Sequence, residues 1–341
     1  MDRGFYDDLP VVDAHHHLWD LDGPIDYAWL KHPEPSWLGD YASFCRNYLP
    51  AEYRRDTALH NVIATVHIEA ECNRAQQLEE TAWLMGQHAA HGMPDVLVGH
   101  AWVDTPNAEE ILARQAACTR MRGIRTKPII GATARERDSV RGQPRSLQDP
   151  VWRKGLRLLV KYGLSWDLRV PWYHLEEAAE VCRELPDLAI VLNHSGYPWD
   201  RDADALAGWR RGMLAIAACP NVHVKLSGLC VAGQPWTLAA NRGLILFMVE
   251  IFGPDRCLFA SNYPVDGLKG SWDYLCSSYK QALAGLRVED RAKIFAGNAL
   301  RFYRIDLPGG WSVGFTPSAI PAGWGSRPPD RHATGPRSRG R

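Results

Sequence analysis

Val11-Val12-Asp13-Ala14-His15-His16-His17-Leu18-Trp19 is the stretch of this 341-residue chain from which the rest can be read. It has the form of a short apolar strand that ends in polar residues. Residues two apart on a strand share a face, so His15 and His17 point one way and His16 the other. Two imidazoles side by side at a strand end can grip a metal, polarise a carbonyl or move a proton. Taken alone, the run reads equally well as hydrogen-bonded core histidines. Its neighbours decide.

Seven further strand-like runs follow, at 62–70, 96–104, 121–129, 164–171, 188–195, 222–228 and 257–264. Amphipathic stretches lie between most of them, at 75–90, 107–119, 151–162, 174–184, 205–218, 237–252 and 273–285, with Pro and Gly at many breaks. Strands alternating with helices imply a parallel sheet with crossover connections, and eight strands close a barrel. No G-x-G-x-x-G follows the first strand to favour an open dinucleotide-binding sheet. The expected fold is α/β, a (β/α)8 TIM barrel over residues 1–305, distorted by a long loop insertion after strand 1. That insertion, 20–58, carries Trp29, Pro33, Pro35, Trp37, Tyr41, Tyr48 and Tyr53 and falls on the catalytic face, where it shapes or covers the mouth. From 306 to 341 the periodicity stops, Pro, Gly and Arg dominate, and a disordered tail is expected.

Composition narrows the class. Hydrophobic residues make up 46% and charged ones 23%, as in a globular protein. Lys+Arg and Asp+Glu balance at 39 each, which gives no electrostatic reason to expect nucleic acid or an anionic membrane as partner. Met1 to Leu9 is acidic and polar, unlike a secretion signal, and no apolar run has the length of a membrane span. The eight cysteines are scattered with no C-x-x-C, so reduced, mostly buried thiols of a cytoplasmic protein are expected. A homo-oligomer is left open.

In a barrel, chemistry sits at the C-terminal ends of the strands. Strand one offers His15 and His17, strand two His67 and Glu69, strand four Arg125 and Lys127. Strand five offers Asp167 and Arg169, strand six His194, strand seven Lys225 and Ser227, strand eight Asn262. Each has an ordinary alternative: Glu69 pairing with Arg125, or Asp167 with Arg169, would be structural salt bridges. Their convergence on one end of the barrel favours a polar, anionic small-molecule substrate.

Five segments carry a family resemblance, in order along residues 10–300: Asp13-Ala14-His15-His16-His17-Leu18-Trp19, Arg122-Gly123-Ile124-Arg125, Asn193-His194-Ser195-Gly196, Lys225-Leu226-Ser227-Gly228-Leu229 and Phe259-Ala260-Ser261-Asn262-Tyr263-Pro264. Together they resemble the amidohydrolase superfamily, in its amidohydrolase-related, lactonase-like branch. The resemblance implies a barrel that hydrolyses at a carbonyl, with His15, His17 and His194 as active-site histidines. It also implies an Asp on strand eight, acting as base and often as metal ligand. Here that residue is Asn262, whose amide accepts no proton at useful pH. Either another carboxylate takes the role, from Asp266, Asp167 or Glu69, or His15 or His17 is the base and Asn262 only hydrogen-bonds.

The same change weakens the case for a metal. His15, His17 and His194 would be the ligands of a zinc or manganese ion if the enzyme is metal-dependent, but the anionic ligand is missing and no cofactor is the favoured reading. The expected activity is hydrolysis of a carboxylated lactone or related cyclic ester, with an amide or imide under the same scheme. His15, His17, His194, Asn262 and Asp266 would carry catalysis; His67, Glu69, Arg125, Lys127, Asp167, Arg169 and Lys225 would hold substrate. The alternative is a metal-dependent decarboxylase of an aromatic or unsaturated acid. A third reading, a non-catalytic barrel, predicts that Asn262→Asp would restore turnover.

Overall fold

The computed structural model describes residues 9–34 and 39–307. Each apolar run supplies one strand: β1 (Val11–His16), β2 (Val62–Ile68), β3 (Val96–Gly99), β4 (Met121–Ile124), β5 (Ser165–Leu168), β6 (Ile190–Leu192), β7 (Val222–Leu226) and β8 (Cys257–Phe259). They pair in parallel in chain order as one eight-stranded sheet. β8 returns to β1 through a parallel bridge between Tyr263 and His16. There His17 N–H donates to Tyr263 O and Asn262 N–H to His15 O, both at 2.8 Å. The architecture is a (β/α)8 barrel.

The seven amphipathic stretches become α3 (Gln77–His91), α4 (Ala108–Ala117), α5 (Pro150–Lys161), α6 (Leu175–Glu184), α7 (Ala203–Ala217), α8 (Leu238–Phe252) and α9 (Trp272–Ala282), preceded in the insertion by α1 (Ala28–Lys31) and α2 (Pro50–Thr57). Local chemistry sets their starts. Asp149, Asp202, Thr237 and Ser271 each accept a backbone N–H of the first turn that follows, and Pro150 occupies the first turn of α5, where its missing N–H costs nothing. Two short helices, α10 (Val288–Ala292) and α11 (Asn298–Phe302), lead the chain under the barrel, where Phe302 and Tyr303 are buried.

Most strands are shorter at their C-terminal ends than the apolar runs suggest: the run 96–104 yields only Val96–Gly99, and 257–264 only Cys257–Phe259. The surplus residues form the loops of the catalytic face. The insertion is packed: Tyr27, Tyr41, Phe44, Tyr48 and Tyr53 are buried in the main hydrophobic cluster, and Trp19 and Tyr48 exchange backbone hydrogen bonds at 3.0 Å. Pro35 and Trp37 of the insertion, the acidic start before Leu9, and the expected tail from residue 308 on lie outside the described residues. All eight cysteines are free, four buried and four half-buried. No helix among the described residues is long and apolar enough to cross a membrane.

Candidate active site

Strand register decides which side chains enter the barrel. Val12 pairs with Ala64, Val66 with Val96, Asp167 with Val191 and Lys225 with Leu258, and these sets share the inner face. Asp13 pairs with Thr65 and His16 with His67, so three steps on β1 match two on β2. That extra residue is a β-bulge, and His15 N–H donates to Asp13 Oδ1 across it. Plain alternation would set Asp13, His15 and His17 on one face. The bulge separates them. Asp13 turns outward, where its Oδ2 accepts from Tyr53 Oη at 2.9 Å and Ser261 Oγ at 2.6 Å. His15 and His17 turn inward, ring centroids 5.0 Å apart, and His16 packs outside against Tyr53.

A chain of buried polar groups runs up the barrel to these rings. Tyr303 Oη donates to Asp167 Oδ1 at 3.1 Å, and Asp167 pairs with the Lys225 ammonium. Lys225 Nζ lies 3.3 Å from His15 Nδ1, His15 Nε2 lies 3.3 Å from His17 Nε2, and His17 Nδ1 lies 2.8 Å from Ile68 O. The two ends fix the tautomers. A carbonyl only accepts, so His17 carries its hydrogen on Nδ1 and a lone pair on Nε2. An ammonium only donates, so His15 has its lone pair on Nδ1 and its hydrogen on Nε2, aimed at His17. Burial, with Lys225 and His194 nearby, holds His15 well below its usual range. Burial and the Arg125 charge push His17 down to about 3. Both rings are neutral near pH 7.

Above them opens a pocket of about 180 Å³ whose polar wall is His17, Glu71, Arg125, Arg169, His194 and Asn262. Trp29 and Tyr41 of the insertion, with Ala70, Tyr197 and Val265, complete it. Several of the residues read from strand ends stand elsewhere. His67 faces outward beside His16 and approaches Leu18 O at 3.2 Å. Asp167 and Lys225 pair with each other below the mouth and are fully buried. Glu69 accepts from Arg125 Nε at 2.6 Å and pairs with Lys127 at 3.0 Å; Lys127 reaches Glu71 at 2.9 Å. Although burial works against it, Arg125 and Lys127 hold the Glu69 carboxyl well below the usual range. Arg125 and Lys127, two of the cations expected to hold substrate, are thus already matched to carboxylates. Arg169 instead donates from Nε to Tyr197 Oη at 3.0 Å. Three cations against two carboxylates leave this wall one positive charge in excess.

Asp266 is also absent from the wall. It sits behind Asn262, accepting Asn262 Nδ2–H at 2.7 Å and Gly228 N–H at 3.1 Å. Glu71, Tyr197, Trp29 and Tyr41 are among the wall residues that strand-end reading missed. Glu71 lies one residue beyond the run 62–70 and Tyr197 two beyond the run 188–195, on backbone with φ of 57° and 50°.

His194 is delivered by an unusual turn. After β6, His194, Ser195, Gly196 and Tyr197 have φ of 55°, 56°, 66° and 50°, a left-handed turn closed by Tyr197 N–H to His194 O at 2.8 Å. Each non-glycine residue there costs about 1–2 kcal/mol. Ser195 Oγ donates to Ser227 O and Trp209 Nε1 to Ser195 O, which anchor it. The turn brings the His194 ring 4.3 Å from that of His15, and His194 Nδ1 to 3.0 Å from Ser227 Oγ.

A divalent ion on His15, His17 and His194 would need lone pairs on the ligating nitrogens. His15 Nε2 carries its hydrogen while Lys225 faces Nδ1, and strand eight presents an amide instead of a carboxylate. Among the described residues no group of three or more His, Cys, Asp or Glu is placed to hold an ion. As arranged, these residues do not fit a three-ligand metal.

Comparison with known proteins bears on the family and the fold. A family model described as Amidohydrolase matches residues 12–305. The uncharacterized protein y4mH of Sinorhizobium fredii is 34% identical over 299 residues, 87% of this chain and 99% of that protein. An L-fucono-1,5-lactonase of Burkholderia ambifaria is 29% identical over 308 residues, 88% of this chain and 97% of that enzyme. A crystal structure of an amidohydrolase from Burkholderia multivorans with bound HEPES superposes with a TM-score of 0.72 at 25% identity, covering 87% of this chain and 99% of that one.

Proposed function

The chain belongs to the amidohydrolase family, and from that premise we propose that it opens a lactone by attack of water on the ring carbonyl, without a metal ion. The observation that carries this reading is His17, which is neutral, lines the pocket and has its Nδ1–H committed to Ile68 O, so that its Nε2 lone pair, which faces His15 Nε2–H at 3.3 Å, takes a proton once water displaces that contact. As the oxygen of water bonds to the carbonyl carbon, its proton passes to His17 Nε2. The ring C–O bond then breaks, and the departing alkoxide takes that proton back to give the free hydroxy acid. A base this weak holds the proton only briefly. Arg125 and Arg169 supply positive potential on the same wall for the oxyanion.

The single excess charge narrows the substrate. A dicarboxylate would find Arg125 and Lys127 already paired. A neutral or singly charged polyhydroxy lactone suits a wall on which Glu71 accepts hydroxyl hydrogens and Arg169 donates. The relatives named as lactonases of fucono- and rhamnono-lactones act on that class. Decarboxylation, the alternative, needs a held divalent ion, for which the donor arrangement is unsuited. The test is a panel of sugar-acid and carboxylated lactones, followed by acid release, with His17→Gln alongside. Turnover of a sugar-acid lactone, reduced roughly 10²–10⁴-fold in the variant, is the expected result. Carbon dioxide release, or an unimpaired variant, would overturn the reading.

A further inference from the structure

We propose that Asp266 is a positioning residue that fixes the amide of Asn262 with its oxygen toward the pocket, so that Asn262 Oδ1 accepts one hydrogen of the attacking water. Asn262 lines the pocket, and its side-chain NH2 is tied at 2.7 Å to Asp266 Oδ1. Asp266 lies behind it, 7% exposed, and its second oxygen accepts Gly228 N–H at 3.1 Å. A carboxylate with a backbone N–H on one oxygen can offer Asn262 only an acceptor on the other. The amide therefore has one orientation, NH2 inward and oxygen outward. Backbone geometry holds the same pose: Asn262 has φ of 53°, its N–H donates to His15 O at 2.8 Å, and Asp266 N–H returns to Asn262 O at 3.0 Å.

This division of labour rests on the lactone-opening reading for its chemistry, but the orientation of the amide stands apart from it. With one water hydrogen on Asn262 Oδ1, a lone pair of the water is directed at the carbonyl and the second hydrogen at His17 Nε2, in place of the His15 Nε2–H that faces it at 3.3 Å. No proton is transferred to the amide. Asn262 is a fixed acceptor, and Asp266 acts only through it. The groups around Asp266 are Asn262, Gly228, the Cys230 thiol and the Tyr279 ring. Burial pushes the Asp266 carboxyl up to about 6, against these hydrogen bonds. Below that pH the carboxyl gains a hydrogen and no longer presents a pure acceptor, so the orientation is lost on the acid side.

Asn262→Asp does not rebuild a simple base in this setting. It sets two carboxylates within hydrogen-bonding distance, where they share a proton. The exchanged pair, Asn262→Asp with Asp266→Asn, restores one acceptor and one donor. The experiment measures kcat and KM from pH 5 to 8 on the best lactone substrate, for wild type, Asp266→Asn, Asn262→Asp and the exchanged pair. In parallel, the side-chain amide signals of Asn262 are followed by NMR across the same range. Asp266→Asn should lose about 10–100-fold in kcat with little change in KM, and its acid limb near pH 6 should vanish. The exchanged pair should exceed both single variants. The Asn262 amide signals should step near pH 6 in wild type and not in Asp266→Asn. An Asp266→Asn enzyme with wild-type kcat and acid limb, or Asn262→Asp alone faster than wild type, would overturn the proposal. No lactone turnover in wild type defeats the lactonase reading instead. In that case the NMR step alone upholds or overturns the fixed amide.

Discussion

Burial keeps His15 and His17 neutral, and what stands at the far ends of their hydrogen bonds, a carbonyl at Ile68 and an ammonium at Lys225, fixes their tautomers. The sequence shows the histidines but not these partners. Ile68 contributes only a backbone atom, and Lys225 reads from its strand position as a substrate clamp. What strand alternation cannot foresee is how deep a residue sits: Asp167 and Lys225 face inward as anticipated, yet below the mouth, where they meet each other and Tyr303. A buried ion pair is costly to break from one side. Lys225→Met should lower stability by about 3–5 kcal/mol in urea unfolding, because Asp167 is left charged and unmatched. Lys225→Met with Asp167→Leu should recover most of that loss. Equal destabilisation of the single and double variants would show that the pair is not what matters there.

At the scale of elements, the strands and seven main helices are legible because their hydrophobic periods are strong and capped. The loops beyond the strands are not. The β1 bulge arises from a one-residue register offset against β2, which no periodicity in Val11–Trp19 announces. The left-handed turn at His194–Tyr197 contains one glycine among three residues that ordinarily avoid positive φ. Tertiary anchoring by Ser227 and Trp209 overrides local preference there. Gly228 completes this device: it has φ of +64°, and a Cβ at that position would lie 2.3 Å from His194 Cβ. Gly228→Ala should therefore displace His194 and reduce kcat at least tenfold, with a loss of about 1–3 kcal/mol from backbone strain. Wild-type kinetics in a folded Gly228→Ala protein would detach His194 from catalysis.

For the molecule as a whole, eight strands in chain order, closed from Tyr263 to His16, gather residues from across some 250 positions onto one face. The same closure lets α11 bring Tyr303 up from below and the insertion bring Trp29 and Tyr41 down from above. A polar axis thus runs from the floor of the barrel to the pocket, and its resident cation is the Lys225 side chain. The central claim is that this arrangement opens lactones without a metal. The most direct measurement is lactone turnover by chelator-treated protein, with metal content determined by elemental analysis on the same sample. Full activity at far less than one metal per chain is the predicted result. Activity lost on stripping and restored by one equivalent of zinc or manganese would contradict the account.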